Sequence, residues 1–231
     1  MTSKGAQIER ESFEIIRAGL RRSPLPLGEG SGVGCRTWSE AELAIVQRII
    51  HASGDFDFED TIRFHPGAIE AGIAAIRAGK DILVDVHMVQ AGINKKLLER
   101  FGGKVLCHIS DPDVAAEAAR LSLTRSEVAM MRAFSAPSNI GIVAIGNAPT
   151  ALLKLLEIID AVPTFFVAAG RTCPPDLVIG IPVGFVKAEE SKELLLGSRH
   201  PFITSIGKKG GSSIAAATVN AILKLAAEEL R

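Results

Sequence analysis

The chain has 231 residues, with 26 lysines and arginines against 26 aspartates and glutamates, so it has no net field to draw in nucleic acid and no acidic tail to suggest a solvating role. Hydrophobic residues at 47% and charged residues at 23% are globular composition, and the length is ample to bury a core in one domain spanning 1–231. Aromatic residues at 5%, with no tyrosine, argue against base-stacking or sugar-stacking platforms.

In chain order, Gln7 to Leu20 reads as a polar helix, and the Pro/Gly/Ser stretch Ser23 to Thr37 as an irregular surface loop. The opening thirty residues lack the apolar core of a secretory signal. Ser39 with Glu42 makes a capping box and Trp38 with Leu43 a hydrophobic staple, so a helix is predicted to run from there to about His51 before Gly54 ends it. Pro66 in a first turn opens a helix towards Lys80, Asp111-Pro112 opens one towards Arg120, and Thr124 with Glu127 repeats the capping box.

Between these helices lie five apolar, β-branched runs: Ile82 to Val86, Val105 to Ile109, Ile140 to Ile145, Leu177 to Ile181 and Phe202 to Ile206. Near-continuous apolar character is what strands buried on both faces look like, and helical crossovers between them make the connections parallel. The expected fold is therefore α/β: a flavodoxin-like, doubly wound sheet of about five parallel strands with helices on both faces. The apolar segment Ile214 to Ala226 is too short to span a bilayer and carries Asn220 and Lys224. Its Ile214, Ala217, Ile222 and Leu225 cannot share one narrow stripe, so the core or a partner chain should bury part of that surface. A soluble, cytoplasmic protein is expected.

In such sheets ligands sit beyond the carboxyl ends of the strands. The residues there are Asp85, His87 and Met88; His108 to Asp111; Gly146 to Pro149, including Asn147; Pro182 to Gly184; and Gly207 to Ser213. In the last of these both lysines, Lys208 and Lys209, precede the glycine pair, which is not the phosphate-loop order. What remains is a turn with two cations feeding a helix N-terminus, a general anion site. Arg125 stands in a first helical turn, where the macrodipole disfavours a cation, and an anionic ligand would turn that charge to use. His51 follows Arg48 by three residues on one helix face and brings an imidazole, a side chain able to give or take a proton. The remaining histidines, His65, His87, His108 and His200, have no metal-ligand or Ser/His/Asp spacing. Cys35, Cys107 and Cys173 make neither a disulfide framework nor a zinc pattern, so no metal and no cofactor are expected.

Several stretches together resemble the precorrin-8X methylmutases, which include the cobalt-precorrin-8 methylmutases of cobalamin biosynthesis. They are Glu11-Ser12-Phe13-Glu14-Ile15-Ile16-Arg17, Arg48-Ile49-Ile50-His51-Ala52-Ser53-Gly54, Asp111-Pro112 followed by Thr124-Arg125-Ser126, and Val143 to Leu152 with its GNAPTAL core. Gly180 to Val186 with Glu190-Ser191-Lys192, and Pro201-Phe202-Ile203 running into Gly210-Gly211-Ser212, complete the set in the family's order over almost the whole chain. The resemblance implies an isomerase that moves one methyl group from C-11 to C-12 of ring C of a tetrapyrrole, in a flavodoxin-like homodimer. It also implies that His51 is the catalytic histidine, and that Ser12, Arg17, Arg48 and Arg125 contact the substrate. Met88, Asn94, Asn147, Lys208 and Lys209 complete the expected substrate-binding set.

Two features depart from the pattern: the long Ser23 to Thr37 segment, and His87 where another polar residue is expected before Met88. A sigmatropic methyl shift asks for no nucleophile, redox partner or methyl donor. Protonation of a ring nitrogen makes the conjugated system electron-poor and lowers the barrier, a general-acid role for His51. Acetate and propionate carboxylates call for cations at several points, and the macrocycle for a water-excluding apolar wall that includes Met88 and Phe185. A non-catalytic tetrapyrrole carrier would use the same pocket. A nucleotide-binding α/β protein lacks the glycine spacing it needs.

Overall fold

A computed structural model describes residues 3–20, 38–136, 138–161 and 174–228. The Ser23 to Thr37 segment lies outside the described residues, as do Cys35 and Cys173. The elements in order are α1 (Ser3–Gly19), α2 (Glu40–Ser53), α3 (Phe58–Thr61), β1 (Ile62–Phe64), α4 (Ala68–Arg77), β2 (Asp81–Val84), α5 (His87–Gly92), α6 (Lys95–Glu99) and β3 (Val105–Leu106). Then follow α7 (Val114–Leu121), α8 (Arg125–Ala133), β4 (Ile140–Ile145), α9 (Pro149–Ala161), β5 (Leu177–Gly180), α10 (Ala188–Leu196), β6 (Phe202–Ser205) and α11 (Ser212–Glu228).

The sheet order is β1-β6-β5-β4-β2-β3. Strands β2 to β6 are parallel, and each of the five apolar runs contributes one of them. Read along the chain their order is 2-1-3-4-5, the flavodoxin-like arrangement with its switch point between β2 and β4. The sixth strand is new: β1 pairs antiparallel with β6 through Ile62 to Ser205, Arg63 to Thr204 and Phe64 to Ile203. Four parallel strands end before their apolar runs do, β5 and β6 by one residue and β2 and β3 by more. Strand β3 is an edge and pairs for two residues only, and β2 stops at Val84 because Asp85 turns its side chain to neighbouring backbone.

Strand side chains divide between two layers, as period-two alternation requires. Ile82, Val84, Ile142, Ala144 and Ile179 face α2, α4, α5 and α11, while Leu83, Val143, Ile145 and Val178 face α8, α9 and α10. The C-terminal α11 is the central helix of its layer, packed on α2, α4 and α5. Ile214, Ala217 and Ile222 are buried there by the chain itself, so this surface calls for no partner chain. No helix among the described residues is long and apolar enough to cross a membrane.

Local signals explain several helix ends. Ser39 Oγ accepts from the Glu42 N–H at 3.2 Å and the Glu42 carboxylate accepts from the Ser39 N–H at 2.8 Å, while Gly54 closes α2 in the left-handed region at φ 68°. Thr124 and Glu127 repeat the box at α8. The aromatic packing of Trp38 is edge to face with Phe64 on β1, at 5.7 Å between centroids. Pro66 and Pro112 stand before their helices rather than inside them. The His65–Ala68 and Asp111–Val114 turns precede α4 and α7, and the Asp111 carboxylate is taken by His108 at 2.8 Å.

Candidate functional site

The carboxyl ends of the parallel strands are laced together by backbone. At the switch point Asp85, fully buried, accepts the N–H groups of Gly146, Asn147 and Ala148 at 3.1, 2.8 and 2.8 Å. Burial pushes its carboxyl above the ordinary range while these three donors pull the other way. Gly146 lies so close to α11 that a Cβ would stand 2.7 Å from Ser212 Cα, and only glycine permits the approach. The loops after β5 and β6 are then zipped: Gly211 N–H donates to Ile181 O at 2.9 Å and Gly184 N–H to Lys208 O at 3.3 Å.

On this edge stand exposed apolar side chains, Phe185, Val186, Met88 and, less so, Val183. Lys208 is exposed with its ammonium 5.7 Å from the centre of the Phe185 ring. Lys209 is engaged differently: its ammonium lies 2.7 Å from Asp55 and 2.5 Å from Asp57, in the loop that follows α2. Those hydrogen bonds hold the Asp55 carboxyl below, and the Lys209 ammonium above, their ordinary values. Asn147 is exposed beside the Asp85 clamp. Arg125, the first residue of α8, is exposed and has no ion-pair or hydrogen-bond partner among the described residues. A Thr124 to Thr150 hydroxyl contact at 3.0 Å sets this helix start beside the start of α9, next to Asn147.

The second group forms where α1 crosses α2. Phe13 meets His51 edge to face at 5.3 Å and carries the Arg48 guanidinium over its ring at 4.6 Å. Arg48 is mostly buried and paired with Glu9 at 2.6 Å, and Glu9 also takes Lys224 at 3.1 Å. Burial raises the Glu9 carboxyl's pKa, but the two cations outweigh it and the net shift is downward. Lys224 stands twelve residues into α11, about 18 Å along its axis from Ser212, so Arg48 is committed to a helix junction. Ser12 Oγ returns to the Ile8 carbonyl at 2.8 Å, and Arg17 makes an exposed pair with Glu40 at 3.4 Å.

Asn94 serves as the N-cap of α6, accepting from the Leu97 N–H at 3.2 Å, while its own N–H donates to Asn220 at 2.8 Å. His87 is held by Gln90 and Ser110, each at 3.0 Å. The structure thus gathers Met88, Arg125, Asn147, Lys208 and Lys209 along one edge and joins His51 to it through the Asp55–Asp57 loop. Arg48 and Asn94 are occupied by packing and capping.

Sequence reasoning passed over five residues: Asp85 as a clamp, Asp55 and Asp57, Glu9, and Lys192. Lys192 is fully buried on α10, with its ammonium 2.8 Å from Lys209 O and 3.3 Å from Ser205 Oγ. Ala188, Ser191, Lys192 and Leu195 share the buried face at helical spacing, so a lysine on an apolar stripe was the available signal. Among the described residues no three His, Cys, Asp or Glu side chains are grouped to hold a metal ion. Two hollows, near 500 and 490 Å³, lie between α9 and α10 and beside α4 at the opposite end of the sheet, and neither touches a predicted site residue.

A sequence model of the precorrin-8X methylmutase family matches residues 7–225. A cobalt-precorrin-8 methylmutase from Priestia megaterium is 45% identical over 226 residues, covering 98% of this chain and 90% of the relative. A precorrin-8X methylmutase from Pseudomonas aeruginosa is 40% identical over 220 residues, with 94% of each covered. Among solved structures, the precorrin-8X methyl mutase of Thermus thermophilus superposes with a TM-score of 0.78 at 37% identity, covering 97% of both chains.

Proposed function

The chain belongs to the precorrin-8X methylmutase family, isomerases of cobalamin biosynthesis, and on that premise we propose that it moves a methyl group from C-11 to C-12 of ring C of precorrin-8X or its cobalt form, with His51 as the general acid. The observation that carries the assignment of the acid is the state of the imidazole. Of the five histidines, His51 alone is exposed with neither ring nitrogen hydrogen-bonded among the described residues. His87 is exposed but bonded at both nitrogens, His65 and His108 each bond through one, and His200 is largely covered with its Nε2 buried. A general acid needs a free N–H within reach of the substrate, and Phe13 holds the ring from its edge without consuming it.

The tetrapyrrole would lie along the laced edge. Phe185, Val186 and Met88 give its macrocycle an apolar wall, and Lys208 and Arg125, without carboxylate partners among the described residues, are cations available to its carboxylates. Donation of the His51 proton to a ring nitrogen draws electron density from ring C and eases the methyl shift; the nitrogen returns the proton once C-12 is alkylated. The functional unit in this reading is a single-domain chain in a cytoplasmic homodimer. Replacement of His51 by Ala in protein of unchanged circular dichroism should abolish methyl migration, followed by the visible spectrum of the substrate; near-normal turnover would remove His51 from the mechanism.

A further inference from the structure

The segment that follows His51 is tied on every side. Gly54 N–H closes α2 on Ile50 O at 2.7 Å, and Ser53 Oγ accepts from the Asp55 N–H at 3.2 Å. Asp55 uses one carboxylate oxygen for the Asp57 N–H at 2.9 Å and the other for Lys209 at 2.7 Å. Lys209 is anchored in turn from inside the fold, where its carbonyl accepts from Lys192 at 2.8 Å and from Ser205 Oγ at 2.9 Å.

We propose that Lys209 is a positioning residue for His51: its side chain clasps the Asp55–Asp57 loop to the sheet edge, and Lys192 fixes its backbone so that the clasp has a rigid base. The proposal rests on the reading of His51 as the acid. Two carboxylates around one ammonium leave that point with net negative charge, which repels a substrate carboxylate, so Lys209 is unsuited to the ligand role its exposure suggests. Lys208, one residue earlier and without a carboxylate partner among the described residues, is the cation of the pair that faces outward. An acid displaced by an ångström loses much of its advantage, so the clasp acts on the rate of the chemical step rather than on binding.

The test is one set of variants assayed together for turnover of precorrin-8X and for affinity towards the corrin product. Lys209→Met should lower kcat about tenfold with KM and product affinity held within about twofold. Lys209→Arg should restore most of it, and Lys209→Met should add nothing on a His51→Ala background. Asp55→Asn with Asp57→Asn should reproduce the kcat loss, whereas Lys208→Met should raise KM. A rise in KM alone for Lys209→Met, with His51→Ala inactive, would overturn the clasp and leave the acid in place. Normal turnover by His51→Ala would overturn the reading on which the clasp rests.

Discussion

Phe13 of α1 and His51 of α2 meet edge to face with their ring centroids 5.3 Å apart, and the same Phe13 ring carries the Arg48 guanidinium at 4.6 Å. One aromatic side chain thus docks a helix, orients an imidazole and covers an ion pair. Phe13→Ala should destabilise the protein by about 2 kcal/mol, from lost packing and the two ring contacts. Amide exchange in α1 should rise more than in β4. Unchanged protection of α1 would show that Glu9 alone holds it.

Arg125→Ala removes a cation from the N-terminal turn of α8, where it opposes the helix dipole without a compensating partner among the described residues. Stability should rise by about 0.3 to 1 kcal/mol while affinity for the corrin product falls. Thermal melting and a corrin titration decide it; unchanged affinity would return Arg125 to an ordinary surface charge.

Asp85→Ala strands three backbone donors at the switch point, those of Gly146, Asn147 and Ala148. The Gly146 and Ala148 donors lose their acceptor in a buried place and the Asn147 donor in a half-buried one, and the variant should lose about 3 to 5 kcal/mol in urea denaturation. An unchanged urea midpoint would mean that water reaches the clamp.

Lys192 gives a pH signature. Burial lowers its pKa from 10.5 to about 8, with the attraction of Glu189 opposing the shift. Between about pH 8 and 10.5 the unfolded chain holds a proton that the folded chain has released, so a rising pH stabilises the folded state across that window. Below it the buried charge costs about 3 kcal/mol relative to an exposed lysine, offset by the bonds to Lys209 O and Ser205 Oγ. The melting temperature of Lys192→Met minus that of the parent should therefore fall from pH 7 to pH 10. A difference that grows with pH would contradict a protonated, buried Lys192.

The elements were legible where their determinants are local. Ser39 with Glu42 and Thr124 with Glu127 mark helix starts because both partners of each box lie within four residues. The five parallel strands could be read because burial on both faces leaves continuous apolar runs. Strand β1 escaped because Ile62-Arg63-Phe64 is three residues long with a cation at its centre, and only its pairing with β6 makes it a strand. The same distinction governs the site. His51 and Arg125 stand out by motif and by a broken local rule, whereas Lys209 meets Asp55 across 154 positions of chain that no spacing argument spans. The Arg48 pairing with Glu9 was likewise beyond reach, because Glu9 belongs to another helix.

The position of α11 also bears on how the protein acquires its structure. This helix completes the layer formed by α2, α4 and α5, yet about 160 residues separate the end of α2 from its start. The contacts that cover Ile45, Ile49 and Ile76 therefore close very long loops, whose entropy must be met before those contacts reward it. Until α11 docks, the earlier helices can form as local structure but leave their apolar faces uncovered. Folding should be slow, and the intermediate in which α11 has not yet docked is the species most exposed to aggregation.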